Sequence, residues 1–166
     1  MRRSHAELHD PSTGPESTVR SKASADRTRV LFLCADNTVH SMAAEAILRA
    51  AFGDRFDAVS AGVVAGEAIP ALVHESLAAD EIAAPDRAPR AFEEIENESF
   101  DYVVTFSEQA RAEAARVLAE THVHWSLSRD DDETYVSYRR LVVKLQRRIA
   151  LFATVVERRR AADRVF

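Results

Sequence analysis

The chain has few of the residues that cross-link, bend or anchor a protein. Its 166 residues include one cysteine and four glycines. The single cysteine, Cys34, excludes an intrachain disulfide, a cysteine-rich metal site and a redox relay between two cysteines of one chain. No apolar run approaches a membrane span, and the N-terminal segment lacks the apolar stretch of a secretory signal. We therefore expect a cytoplasmic protein that makes no membrane contact.

An excess of positive charge is also absent. The 22 basic and 27 acidic residues give a net charge of −5, which argues against a broad electrostatic grip on nucleic acid. The histidines are scattered over different predicted elements and lack the spacing of metal ligands, so no metal site is predicted. One group of basic residues is expected to form the solvated face of the last helix: Arg139, Arg140, Lys144, Arg147 and Arg148.

Residues 1–27 and 28–166 differ in composition. The first segment is rich in Ser, Arg, Glu and Pro and has almost no large aliphatic residues, which predicts a disordered tail. The second segment alternates apolar runs with helical patterns, which predicts one α/β domain with a four-stranded parallel sheet in three layers and helices on both faces. The predicted strands cover 30–33, 56–60, 102–106 and 123–127, and the predicted helices cover 41–52, 70–80, 91–98, 107–119 and 133–160.

The most informative segment joins the first strand to the first helix. The apolar run Val30–Leu33 ends at Cys34, and a helical pattern begins at Ser41. A thiol in this place lies below a helix N-terminus, where loop N–H groups converge and the helix dipole favours negative charge. We therefore predict that Cys34 is a nucleophile and that the loop binds an oxyanion, with a buried, inert cysteine as the alternative.

The loop residues differ in what they offer an anion. Asn37 suits a turn in the left-handed region, and Ser41 can either cap the helix or donate to Cys34. The carboxylate of Asp36 would repel an anion unless it points outward, and the absence of glycine makes close backbone approach harder. The predicted oxyanion-binding residues are Ala35, Asp36, Asn37, Thr38, Val39, His40 and Ser41.

A phosphoryl-transfer site also needs a general acid for the leaving oxygen. The acidic segment Asp130–Glu133 follows the last predicted strand, and the carboxyl ends of parallel strands share one edge of a sheet. We predict Asp130 as the acid. Helix capping and compensation of the helix dipole are the alternative roles for this acidic cluster.

The chain resembles the superfamily of low-molecular-weight protein tyrosine phosphatases and arsenate reductases. The signature of that family is a strand, Cys-x5-Arg-Ser and a helix with a Met-Ala-Glu-Ala-like start. Here Cys34-x5-His40-Ser41 is followed by Ala43-Ala44-Glu45-Ala46. Further matches follow in the family's order, over about residues 28–153: Val59-Ser60-Ala61-Gly62, Phe100-Asp101-Tyr102-Val103-Val104-Thr105, and Val123-His124-Trp125-Ser126-Leu127 before the acidic residues.

The resemblance implies a reaction and the residues that perform it. In the family the cysteine attacks phosphate or arsenate, loop amides and the arginine hold the oxyanion, and an aspartate before proline protonates the leaving group. By position, Cys34 is the nucleophile, residues 35–41 are the anion loop and Asp130 is the acid. No resident cofactor is implied, but an arsenate reductase with one cysteine requires an external low-molecular-weight thiol to resolve the Cys34 adduct.

Two positions depart from the family pattern. His40 stands where the family has arginine, and Asp131 rather than proline follows Asp130. Arginine offers two parallel hydrogen bonds and a permanent charge, whereas imidazole offers one donor toward the site. One lost charge-assisted hydrogen bond is worth about 1.5–3 kcal/mol, which is about 10- to 150-fold in rate or affinity.

Two functions therefore stay open. The first is a weak hydrolase or reductase: a phosphatase, or a thiol-dependent arsenate reductase, acting on phosphate, arsenate or a phosphotyrosine-type substrate. The second is a non-catalytic member of the same fold that binds an oxyanion or a partner as a regulatory module, because both the arginine and the Asp-Pro pair are missing. The sequence predicts no particular oligomeric state.

Overall fold

The structure, a computed structural model, describes residues 26–128 and 130–166. The predicted disorder of residues 1–27 therefore lies almost wholly outside the described residues. The strands are β1 Thr28–Cys34, β2 Phe56–Gly62, β3 Ser99–Thr105 and β4 Leu118–His124. The helices are α1 His40–Phe52, α2 Ala71–Ala78, α3 Glu108–Ala114 and α4 Tyr135–Asp163, with a short 3-10 turn at Phe92–Glu94.

The strands form one parallel sheet in the order β2-β1-β3-β4. The run Val30–Leu33 in β1 is completely buried, as expected for a central strand that is covered on both faces. Its side chains alternate between two cores, with Phe32 facing α1 and α4 and Leu31 facing α3. Helix α2 packs against α4, which completes the larger of the two cores. The predicted three-layer α/β fold is confirmed.

The order of the strands reverses beside β1. The chain passes from β1 to β2 on one side and then crosses to β3 on the other side. Ligands bind at such a switch point in open α/β sheets, at the carboxyl ends of the strands. Cys34 ends β1 and Phe106 follows β3, so both residues border this crevice.

Gly62 ends β2 next to the loop that follows Cys34. A Cβ atom at Gly62 would lie 2.2 Å from the carbonyl oxygen of Val64 and 2.7 Å from the backbone nitrogen of Asn37. Both distances are shorter than van der Waals contact, so the backbone of the loop can run this close only because position 62 has no side chain.

The structure corrects the predicted boundaries around β4. Helix α3 ends at Ala114 rather than near residue 119. Its N-terminus is capped by Ser107, whose hydroxyl accepts from the backbone N–H of Ala110. Strand β4 covers 118–124 rather than 123–127, because Leu118 already pairs with Ser99 of β3. The burial of this edge strand alternates, but its residue types do not follow that alternation, because the apolar Leu118 is on the exposed side. The pattern of residue types therefore does not mark the strand.

The segment 91–98 differs more strongly from its prediction as a helix. Only Phe92–Glu94 forms a 3-10 turn, and the buried side chains of Phe92 and Ile95 hold it against the core that contains α3. Two apolar anchors three residues apart fit one turn, and the acidic residues around them remain outside that core.

Helix α4 starts two residues later than predicted, where Thr134 Oγ1 accepts from the backbone N–H of Ser137 at 3.2 Å. Arg139 ties α4 to α2 by donating to the Ser76 carbonyl at 2.6 Å and pairing with Asp80 at 2.7 Å. The hydrogen bond from Arg139 to the Asp80 carboxylate holds the pKa of Asp80 below its ordinary value. Within the described ranges, no helix has both the length and the apolar character that crossing a membrane requires.

Candidate oxyanion site

The sulfur of Cys34 has two polar contacts at the end of β1. Cys34 Sγ accepts from the backbone N–H of Asn37 at 3.2 Å and lies 2.9 Å from Ser41 Oγ. Ser41 Oγ also accepts from Asn37 Nδ2 at 2.9 Å. Either Ser41 or a Cys34 thiol can be the donor in their contact, but a thiolate has no hydrogen, so the serine must donate to it. The site therefore offers two donors to a thiolate at this position.

Asn37 organises the loop. Its φ of 59° is in the left-handed region, and its side chain is completely buried. The amide nitrogen donates to Ser41 Oγ and to Ser60 Oγ, both at 2.9 Å. The amide oxygen accepts from Arg87 Nη1 at 3.1 Å and from the backbone N–H of Arg90 at 3.0 Å. Both donors and both acceptor sites are therefore used, which fixes the orientation of the amide.

A buried carboxylate supports Asn37 from behind. Glu45, on α1, is 1% exposed, and its Oε2 accepts from Ser60 Oγ at 2.5 Å and from Arg87 Nη2 at 2.6 Å. Its other oxygen accepts from Arg49 Nη2 at 2.7 Å. Arg90 Nε donates to the Ser60 carbonyl at 2.8 Å. Burial, and then the charge of Arg87, lower the pKa of Arg90 below its ordinary value.

Most of this supporting network is not predicted from the sequence. In the sequence, Glu45 and Ser60 are noted only as members of segments that resemble the family, and no pattern indicates a role for Arg87 or Arg90. One signal was present: Glu45 stands among alanines on the buried side of α1, and a buried charge requires a partner. No periodic pattern connects Glu45 with Arg87, which lies 42 residues further along the chain.

Several N–H groups of the loop have no acceptor among the residues that the structure describes. The backbone N–H of Thr38 donates to Asp36 Oδ1 at 3.1 Å, and Thr38 Oγ1 donates to the same oxygen at 2.7 Å. The Asp36 carboxylate thus turns back on its own loop. By contrast, the N–H groups of Ala35, Asp36 and Val39 form no hydrogen bond in the part of the chain that the structure describes.

Ser41 does not cap α1, so the capping alternative is wrong. The helix begins at His40 with Val39 as its N-cap, and Val39 makes no side-chain capping bond. Ser41 lies inside the first turn, and its hydroxyl is used by Cys34 and Asn37. The first turn of α1 is therefore left open at the side of the loop, where an anion is the natural partner of free N–H groups.

His40 points toward the opposite loop. Its Nε2 lies 3.3 Å from the carbonyl oxygen of Leu127, and its ring centroid is 5.7 Å from that of Phe106. The donors to the sulfur of Cys34 come instead from Asn37 and Ser41. His40 thus joins the predicted anion loop to the segment that carries the predicted acid.

Asp130 lies in that opposite segment, between β4 and α4. Its Oδ2 accepts from Arg140 Nη1 at 2.9 Å, and the side chains are 41% and 65% exposed, respectively. Nearby, Lys144 Nζ donates to the carbonyl oxygen of Ser128 at 3.4 Å. In the described residues Asp130 makes no hydrogen bond to residues 35–41, and no cluster of His, Cys, Asp and Glu side chains is suited to hold a metal ion.

A parallel sheet with a cysteine-bearing loop at its switch point defines a class of α/β proteins with a candidate thiol site for anions. Residues 29–157 match the family model described as low molecular weight phosphotyrosine protein phosphatase. The chain belongs to this family, which confirms the resemblance seen in the sequence. A search among curated proteins gives no match.

Three solved structures show how widely this fold is used. The arsenate reductase from Archaeoglobus fulgidus DSM 4304 is 28% identical, with a TM-score of 0.55 over 72% of this chain and 94% of that chain. The low molecular weight protein tyrosine phosphatase from T. tengcongensis is 24% identical, with a TM-score of 0.62 over 76% of this chain and 98% of that chain. The YwlE arginine phosphatase from Geobacillus stearothermophilus is 19% identical, with a TM-score of 0.68 over 81% of this chain and 96% of that chain. Their names give different substrates, so this fold alone does not define one.

Proposed function

We propose that this chain is a divergent thiol-based member of its family that holds phosphate or arsenate in residues 35–41 and attacks it slowly through Cys34. One observation carries the proposal: the sulfur contacts the N–H of Asn37 and the hydroxyl of Ser41, and three N–H groups beside it have no acceptor among the described residues. Free N–H groups at a helix N-terminus are suited to the oxygens of a tetrahedral anion.

In the phosphatase reaction, a bond forms between the Cys34 sulfur and phosphorus while the bond to the leaving oxygen breaks. Asp130 gives its proton to that oxygen. Water then attacks the phosphorus of the thiophosphate, which releases inorganic phosphate and restores the thiolate. To act as the acid, Asp130 must leave Arg140 and take up a proton from water before the leaving oxygen receives it. Breaking an exposed ion pair of this kind costs less than about 1 kcal/mol.

Reduction of arsenate would use the same nucleophile, but the second stage of the reaction would differ. A bond forms between the Cys34 sulfur and arsenic with loss of water. An external thiol then attacks that sulfur, which leaves a mixed disulfide and releases arsenite, and a second thiol restores Cys34. The two external thiols supply both electrons and end as one disulfide, so no second cysteine of the chain is needed.

A non-catalytic oxyanion-binding or partner-binding module is the second candidate function. The observation that favours it is that His40 and Asp130, the two side chains that should complete catalysis, contact residues outside the anion loop. His40 contacts Leu127 and Phe106, and Asp130 pairs with Arg140. An anion bound by the loop would then be a regulatory ligand instead of a substrate.

The single cysteine makes a direct test possible, because alkylation measured by intact mass reports Cys34 alone. We expect phosphate and arsenate, but not chloride at equal ionic strength, to slow the reaction of Cys34 with iodoacetamide. Hydrolysis of a generic aryl phosphate should fall to the level of buffer in Cys34→Ser. Protection without turnover favours the non-catalytic function, whereas hydrolysis that survives Cys34→Ser would contradict the role of the nucleophile. If neither anion protects the thiol, oxyanion binding is wrong.

A further inference from the structure

Helix α4 concentrates positive charge in a chain that is acidic as a whole. The chain has 22 basic and 27 acidic residues. Helix α4 has only two acidic residues, Glu157 and Asp163. Against these two it has eight basic ones: Arg139, Arg140, Lys144, Arg147, Arg148, Arg158, Arg159 and Arg160. The helix therefore presents a field opposite in sign to that of the rest of the molecule.

The outward face of α4 carries apolar and cationic side chains in one line. We call this line the basic stripe, and it consists of Val136, Arg140, Val143, Arg147, Leu151 and Arg158. Because these residues recur at intervals of three, four and seven, they share one side of the helix. Val136 is 55% exposed and Leu151 is 62% exposed. An open groove of about 430 Å³ lies over the first half of the stripe, and its surface is almost entirely carbon.

The cations of the stripe are available to an incoming acid. Asp80, which follows the end of α2, is already paired with Arg139. Arg147 and Arg158 have no acidic group within 4 Å in the described part of the chain. Arg140 has only its exposed pair with the β4–α4 segment, which a competing carboxylate can replace at little cost.

We propose that the basic stripe docks an acidic amphipathic helix of a partner protein, whose Asp or Glu residues alternate with apolar residues at the same helical spacing. The carboxylates would meet Arg140, Arg147 and Arg158, and the apolar side chains would cover Val136 and Leu151. Charge complementarity sets the class of partner, and burial of the exposed apolar residues supplies affinity.

Other occupants fit the stripe less well. A second copy that docked through its own α4 would place arginines opposite arginines. Nucleic acid would pair with the cations but leave Val136 and Leu151 uncovered. An anionic membrane favours a helix with an unbroken apolar face and cations at its margins, whereas here the cations lie within the apolar line. Residues 1–25, with four basic and three acidic residues, lack the required charge.

The test uses the full chain and two labelled helical peptides about three heptads long. One peptide alternates Glu and Leu at helical spacing, and the other is a scramble of the same composition. Binding is measured by fluorescence anisotropy with wild type, Arg147→Glu and Leu151→Ser. Arg111→Glu and Leu118→Ser are matched controls, because both positions are exposed and lie outside α4. Thermal melting checks that every variant remains folded.

We expect the patterned peptide to bind more tightly than its scramble, with a loss of at least about fivefold in each stripe variant and none in the controls. Equal binding of both peptides, no binding, or indifference to the stripe variants overturns the proposal. The same protein is tested against vesicles of phosphatidylcholine and phosphatidylserine, duplex DNA and self-association. A tighter interaction with any of these that is lost in Arg147→Glu assigns the stripe to that partner instead.

Discussion

The two loops that meet at the candidate site are held in opposite ways. The loop after Cys34 is fastened from inside, by a completely buried Asn37 and by Glu45 with its two arginines. The segment after β4 is held by exposed contacts from Arg140 and Lys144, and by the half-buried contact between His40 and the Leu127 carbonyl. Buried ion pairs are costly to break, whereas exposed pairs contribute little. The loop of the proposed nucleophile is thus held more firmly than the segment of the proposed acid.

The largest expected effect comes from the buried carboxylate. Glu45→Gln leaves Arg87 and Arg49 without their counter-charge, and we expect a loss of about 2–4 kcal/mol in the free energy of unfolding. This is below the value for fully buried pairs because both arginines are partly exposed. The matched control is Glu113→Gln, which removes an exposed pair with Arg116 and should cost less than about 1 kcal/mol. Equal losses in urea denaturation would remove the contrast between the loops.

A medium effect is expected where the two loops touch. His40→Arg places a fork of donors at the position where the resemblance implies arginine, and we expect kcat/KM for an aryl phosphate to rise about 10- to 150-fold. His74→Arg adds the same charge at an exposed site on α2 and should change nothing. If His40→Arg leaves turnover unaltered, the missing cation is not what limits catalysis.

The smallest effect should come from the outer contact. Arg140→Ala releases the Asp130 carboxylate from an exposed ion pair, so we expect at most about a fivefold change in kcat and a nearly unchanged melting temperature. Arg147→Ala is the neighbouring control, because Arg147 has no acidic partner among the described residues. A drop in stability as large as that of Glu45→Gln would show that the acid side is not loosely held.

The sequence was sufficient for the parts of the molecule that are determined locally. The buried run at Val30–Leu33, the thiol after it and the helical pattern that follows predict β1, the loop and α1 to within two residues. Strand β4 was misplaced because Leu118 belongs to the sheet only through its pairing with Ser99, a partner that no local pattern reveals.

The network around the thiol was beyond prediction for a similar reason. Arg87 and Arg90 reach the amide oxygen of Asn37 from 50 and 53 residues away. His40 contacts a backbone carbonyl 87 residues away. Every residue has a backbone carbonyl, so residue types do not indicate this contact. Only the fold brings these groups together. Residue types could therefore indicate a polar site, but not which groups hydrogen-bond to each other.

Asn37 has a consequence for how this chain can change over time. The position demands a φ of 59°, two donors and two acceptor sites within one short side chain. Glycine supplies only the backbone angle, and aspartate lacks the two amide donors. Asparagine combines the backbone angle with both donors and both acceptor sites. We therefore expect substitutions around the anion site to be tolerated better than substitutions of Asn37 itself.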